Sequence, residues 1–477
     1  MGFIDLLKNE LNETTTLNGD KAFKSTTSYV LDFFYRGGTL IARPNDFLDL
    51  FRNAYIENKE LAILALFYLR DIRNGQGIRE GFRCALKYVG NDDPELTRKL
   101  IKYVPEYGRW DDLYSLVGTE VEYDVFEFMK QQLIDDIKNM KECKSISLLA
   151  KWLKSENASS YRTKYLAKKT MKHFNMTPRE YRKTLTKLRK YLKVVERNIT
   201  FRTYNEIEYS QVPSKAMNKY YKAFLRNDEE HFNKFLEDLK NNKRKVNANA
   251  IYPHEVIRIR DETLQDALWR NLPKPNTDLK YLPIVDVSAS MEATIYSNYE
   301  AIDIAVTIGM YLAEHNSSEF KNYFITFSEE PELIEIKGST FKEKANIVKQ
   351  SDWGLNTDIS KVFNLILRTA IKNNLKQEDL PENLIILSDM QFDSCVEGYS
   401  TYEYAKELFK EHGYQLPQIV FWNLNDYGNV PVKKDEKGTV LLSGFNPKIV
   451  EKIINDEEIN PYLMMLDILK AYEHILE

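Results

Sequence analysis

The feature that most constrains this 477-residue chain is the stretch Tyr281–Met291, read Tyr-Leu-Pro-Ile-Val-Asp-Val-Ser-Ala-Ser-Met. A short apolar run stops at one carboxylate and two hydroxyls on alternate positions, Asp286, Ser288 and Ser290. An apolar run of this length with polar bounds suits a strand buried on both faces of a parallel sheet. Ligands of such sheets gather outside the carboxyl ends of the strands, where these three oxygens would fall. On its own the triplet also describes a strand end running into a serine-rich turn.

Two later stretches shift that balance. Trp353-Gly354-Leu355-Asn356-Thr357-Asp358 sets the hydroxyl of Thr357 in a loop ahead of a helical pattern. Asn383–Asp389 is a second apolar strand, and it ends in the carboxylate of Asp389. Hard oxygen donors with no His or Cys nearby point to magnesium, manganese or calcium rather than zinc. In order and spacing, Asp286, Ser288, Ser290, Thr357 and Asp389 resemble the metal-ion-dependent adhesion site of von Willebrand factor A-type domains. The one departure is Ala289, where many members carry glycine. The resemblance implies hydroxyl ligation by Ser288, Ser290 and Thr357, with Asp286 and Asp389 ligating directly or through water. It also implies an open coordination position that takes the carboxylate of an acidic protein ligand.

The rhythm of the chain changes at the same place. Before residue 270 the pattern is helical, with apolar positions Phe47, Leu50, Phe51, Ala54 and Tyr55 after Pro44, and a run at Leu61–Leu69 that is apolar nearly all round. Further helices are expected over Ser145–Leu153, Tyr161–Phe174 and, after Thr177-Pro178, Arg179–Glu196. After residue 280, short apolar runs alternate with helical stretches, which predicts a doubly wound α/β sheet. The expected fold class is therefore α + α/β, an N-terminal α-solenoid followed by the doubly wound domain. Its expected divisions are a flexible N-terminal segment over 1–24, a helical-repeat domain over 25–270, a linker over 271–280 with Pro273 and Pro275, and the α/β domain over 281–477 with closing helices.

Composition removes several function classes. The chain is 43% apolar and 29% charged, enough for real cores. It contains no apolar run long enough for a membrane span, and its first ten residues do not have the pattern of a cleaved leader. Cys84, Cys143 and Cys395 and the six histidines are scattered without metal spacing, which fits buried thiols in a reducing, cytoplasmic setting. No catalytic constellation is visible, so no enzyme is expected. Net charge is −4, yet Lys141–Thr200 holds 17 Lys and Arg against four acidic residues. Lys168, Lys169, Lys172, Arg179, Arg182, Lys183, Lys187, Arg189 and Lys190 crowd two consecutive expected helices, with His173, Tyr161, Tyr165, Tyr181 and Tyr191 between them. Phosphates need such charges, and exposed rings stack unpaired bases. The plain alternative is a solvated basic face with its tyrosines packed inward.

Phe67–Gly77, Glu180–Arg189 and Val194–Glu196, continued by Val212–Ala216, resemble the TROVE module, the HEAT-like RNA-binding part of telomerase-associated, Ro and vault proteins. A TROVE module ahead of an A-type domain is the layout of Ro ribonucleoproteins and of a Ro-like group termed DUF2828. This resemblance implies a non-enzymatic cytoplasmic scaffold that binds structured or misfolded noncoding RNA, without DNA sequence specificity. The RNA residues would be Lys168, Lys169, Lys172, His173, Arg179, Arg182, Lys183, Lys187 and Arg189, and the cofactor Mg2+, with Mn2+ or Ca2+ as substitutes. The main rival is a protein–protein interaction adaptor without RNA, and a weaker third is a metal-dependent phosphodiesterase.

Overall fold

The apolar runs after residue 280 become strands where the sequence places them. The computed structural model describes residues 2–249, 251–327, 330–349, 357–395, 399–456 and 458–477, and structural statements concern these residues. In chain order the strands are β1 (Glu13–Thr15), β2 (Lys21–Phe23), β3 (Tyr281–Asp286), β4 (Thr294–Tyr296), β5 (Tyr299–Glu300), β6 (Tyr323–Phe327), β7 (Glu332–Glu335), β8 (Asn383–Ser388), β9 (Gln418–Asn423) and β10 (Thr439–Ser443). Six of them form one sheet in the order β10-β9-β8-β3-β6-β7, parallel except for β7. β3, β8, β9 and β10 are buried at every position, as continuous Val, Ile and Leu runs require.

The path of the chain places the oxygens. It leaves β3 toward β6 and β7, then returns to β8 on the other side of β3. Strand order thus reverses between β3 and β8, the switch point where open parallel sheets hold ligands. Asp286 ends β3 and Asp389 directly follows β8. Helix Ala301–His315 links β3 to β6 after the small β4–β5 hairpin and is buried along nearly its whole length. Gly309 allows its close approach, since a Cβ there would lie 2.5 Å from Val285 Cγ2 on the central strand.

β10 is an edge strand, yet all five of its residues are buried. No helix forms between β9 and β10, so the usual crossover cover is absent there. Helix Tyr29–Gly37 from the N-terminal half and helix Pro461–Lys470 pack against β10 instead. Such a cover blunts an otherwise open edge. Arg36 clamps it by a two-pronged pair to Asp426, at 2.7 and 3.0 Å, and Arg43 donates to the Asp426 carbonyl at 2.9 Å. Gln76 Oε1 accepts from the amides of Phe445 and Asn446, so the Asn74–Gly77 turn is a packing element against the sheet. One buried apolar cluster accordingly runs from Phe23 to Ile475 across both halves.

Several expectations change in detail. The segment over 1–24 is not loose: β1 and β2 pair, and Phe23 exchanges backbone hydrogen bonds with Val430. The linker over 271–280 holds no helix or strand, as expected, and is pinned where Pro273 accepts from the Tyr311 hydroxyl and Asn276 donates to Glu451. The helix expected over Ser145–Leu153 shortens to Leu149–Trp152. The one expected over Arg179–Glu196 splits into Pro178–Tyr191 and Val195–Phe201. Lys193 takes φ +51 there, and the Val194 amide reaches back to the Arg189 carbonyl, a left-handed stop usually built on glycine. Among the described residues, no helix is long and apolar enough to cross a membrane.

Adding one methyl at Gly309 must push helix Ala301–His315 off a stiff β-branched neighbour. Gly309→Ala is expected to cost about 1–3 kcal/mol in a urea unfolding curve, and an unchanged midpoint would mean that the helix has room to spare.

Candidate metal centre and basic helices

Asp286 and Asp389 end neighbouring central strands, and both are essentially sealed from solvent. Asp286 Oδ1 accepts from the Ser288 amide at 3.0 Å, and its Oδ2 accepts from the Ser388 hydroxyl at 2.5 Å. Ser388 accepts in turn from the Met390 amide at 2.9 Å. Asp389 Oδ1 accepts from the Gln391 amide at 3.2 Å, while Oδ2 is buried with no partner. Ser288 and Ser290 bring their hydroxyls within 3.2 Å of each other. Ala289 opens a short 3-10 turn and is not among the residues of positive φ, so glycine is not needed at that position. Met390 does take φ +62, a costly conformation for a side-chain-bearing residue, and it turns the chain immediately after Asp389.

Electrostatics show what this arrangement lacks. Burial raises the Asp286 carboxyl well above the ordinary range, and the neighbouring Asp389 raises it further, against the hydrogen bonds from Ser288 and Ser388. Burial likewise raises Asp389, offset in part by the Ser290 hydroxyl. Two carboxylates out of water, one with an orphaned oxygen, are short of positive charge. A hard divalent cation would supply it, and the hydroxyls of Ser288, Ser290 and Thr357 are donors of the right kind. Among the described residues no group of three His, Cys, Asp or Glu could hold a metal.

Thr357 is buried, and its amide donates to Asp393 Oδ2 at 2.7 Å. The stretch 353–356 that leads to it lies outside the described residues. The Thr357 hydroxyl also meets a residue that no local pattern picked out: Asn18 Nδ2 donates to its Oγ1 at 2.7 Å and to the Gln391 carbonyl at 2.8 Å. Thr16 Oγ1 donates to the Phe392 carbonyl at 2.7 Å, and the Leu17 amide to Gln391 Oε1 at 2.9 Å. Ser388 thus touches the Asp286 carboxylate directly, and Asn18 links Thr357 to Gln391, in the segment that follows Asp389. Ser388 could have been found, as the polar residue just before Asp389 on a buried strand. Asn18 carries no such signal.

The basic set divides. Lys168, Lys172, Arg179, Lys183 and Lys187 are exposed on helices Tyr161–His173 and Pro178–Tyr191. Lys169 pairs with Glu122 at 2.6 Å, Arg182 with Glu156, and His173 with Glu127 at 3.1 Å. Arg189 is a structural strut, donating to the carbonyls of Ala150 and Leu153 at 2.8 and 2.9 Å and so closing the short helix before them. Tyr181 is buried and donates to the Lys154 carbonyl, whereas Tyr161 is 84% and Tyr165 44% exposed. Arg73 and Arg79 serve the Glu106 carbonyl and Glu80.

Comparison with known proteins follows this division of the chain. Residues 141–281, with the basic helices, match the domain of unknown function DUF2828, and residues 280–466, with the sheet, match the domain of unknown function DUF7788. A relative in Acanthamoeba polyphaga mimivirus, "Uncharacterized protein L728", is 32% identical over an alignment of 511 positions that covers 97% of this chain and 88% of the relative. The chain belongs to the family of that protein. The likeness to this relative spans almost the whole chain, so it extends well ahead of both domain matches.

Asp20, beyond Asn18 in the same loop, accepts from the Thr401 amide at 3.1 Å at the start of helix Thr401–Glu411. Burial pushes its carboxyl from 3.8 up to about 7, against the Thr401 hydrogen bonds. Because the folded value lies above the unfolded one, the stability it contributes is complete below pH ~4 and is lost as pH rises through about 7. Asp20→Asn keeps an acceptor and removes the titration. In melts from pH 4 to 8 the variant should gain on the parent as pH rises, by at most about 4 kcal/mol. Parallel curves would show that Asp20 titrates normally.

Proposed function

We propose that this chain is a non-enzymatic RNA-binding scaffold that docks a protein partner through a divalent cation. In this reading the sheet and its helices are a doubly wound von Willebrand factor A-type domain. Asp286, Ser288, Ser290, Thr357 and Asp389 are its metal-ion-dependent adhesion site. The helical half is a TROVE-type solenoid, so the layout is that of Ro ribonucleoproteins, in a cytoplasmic setting that suits three free cysteines. The observation that carries it is the meeting of two buried carboxylates and the seryl hydroxyls at the switch point of the sheet, with one Asp389 oxygen unsatisfied. Support for the RNA half is the exposed set Lys168, Lys172, Arg179, Lys183 and Lys187. Lys169, His173, Arg182 and Arg189 leave the proposed contact set, being engaged within the fold. That internal pairing is what favours the rival reading, an adaptor without RNA.

Two measurements test the halves separately. Mn2+ should bind the full chain in calorimetry and give an anomalous peak among the five residues in a soaked crystal. Asp389→Asn should lose that binding and yet melt higher than the metal-free parent, because it removes an uncompensated buried charge. Binding retained in Asp389→Asn would sink the site. For RNA, joint Ala substitution of Lys168, Lys172, Lys183 and Lys187 should weaken binding of single-stranded RNA most at low salt. The slope of log K against log salt should fall by about 0.7 for each contact removed. An unchanged slope would move the reading to the adaptor, as would nuclease-treated protein that carries no RNA and binds none.

A further inference from the structure

We propose that the N-terminal hairpin loop is a working part of the metal centre, with Asn18 as the positioning residue that aims the Thr357 hydroxyl at the cation. The proposal rests on reading the five oxygens as a cation site. A threonine hydroxyl has one proton and two lone pairs, and its rotor is free unless neighbours fix it. Here the Asn18 amide occupies one lone pair at 2.7 Å, and Asp393 Oδ1, at 3.3 Å, is the acceptor for the proton. The second lone pair is then the one left for a cation, in a direction set by two partners from distant segments of the chain.

The loop does more than touch Thr357. Thr16, Leu17 and Asn18 in succession hold the carbonyl or side chain of Gln391 and the carbonyl of Phe392, in the segment that follows Asp389. Ser394 donates back to the Asn18 carbonyl at 3.4 Å. Two loops, the one with Thr357 ahead of helix Ser360–Lys372 and the one that follows Asp389, are therefore both fastened to the N-terminal loop, and Asn18 holds both. Partners that orient a ligand in this way commonly govern metal affinity by about 10–100-fold. The arm continues through β2, which bonds to Val430, into helix Tyr29–Gly37 of the helical half. Whatever the arm adds to cation affinity, the cation returns to the seating of the arm, since coupling between two sites is reciprocal. Cation occupancy and the lie of the N-terminal arm on the sheet are one equilibrium.

The test uses the full chain, Mn2+ as probe, and Asn18→Ala beside Leu11→Ala, whose side chain is 64% exposed and lies in the arm but outside the loop. Calorimetry should show Asn18→Ala binding Mn2+ about 10–100-fold more weakly, with Leu11→Ala close to the parent and the metal-free melting temperatures of all three alike. In limited proteolysis, Mn2+ should slow cleavage within residues 2–24 of the parent but not of Asp389→Asn. Parent-like affinity in Asn18→Ala overturns the role of Asn18 while the cation site stands, as does Mn2+ that binds without protecting the arm. A parent that binds no Mn2+ removes the cation reading itself and this proposal with it.

Discussion

Two carboxylates held out of water on adjacent strands set the terms for the rest of this molecule. Each buried charge is costly unless it is paired or hydrogen-bonded. The protein answers with hydroxyls and amides at three of the four carboxylate oxygens and leaves Asp389 Oδ2 without a partner. Two neighbours serve that need directly, the serine at the end of β8 and the Gln391 amide beyond the left-handed turn at Met390. A sheet built only for stability would have ended β3 and β8 in apolar or exposed residues.

The second organising fact is that the two halves share one interior. A parallel sheet with no crossover helix over its last strand has an open edge, and here the N-terminal half closes it. The Arg36–Asp426 pair is part of that closure. The Asp426 carboxylate is buried, so its partner is a fixed guanidinium fork rather than a mobile surface charge. The helical half is in this sense a wall of the α/β half.

Much of this could be read from the chain alone. β3 and β8 fall on the apolar runs that open at Tyr281 and Asn383, because buried parallel strands are apolar runs with abrupt ends. The oxygen-bearing residues of those ends were legible from type and spacing. What escaped was set by distance or by disguise. Asn18 meets Thr357 across 339 residues, and no periodicity records such a bond. The stop after Tyr191 uses lysine where glycine would have announced it. Arg189 has the same composition signature as its exposed neighbours, and only the carbonyls of Ala150 and Leu153 reveal it as a strut. Segment 1–24, rich in Thr and Asn, looked loose because its order comes from strands made hundreds of residues later.

That last point has a consequence for how the protein comes into being. Arg36 and Asp426 are separated by 390 residues, and the helix that carries Arg36 finishes its packing only when β10 has been made. At ordinary rates of synthesis the interval is about 20–80 s. Through that time the part of this helix that meets β10 has no sheet to rest against, although Phe33 and Phe34 already have Phe47, Phe51 and Tyr68 of the next two helices beside them. The nascent chain must carry an unpaid apolar face from its first minute, which makes its ribosome-bound life, rather than its finished state, the stage most exposed to aggregation.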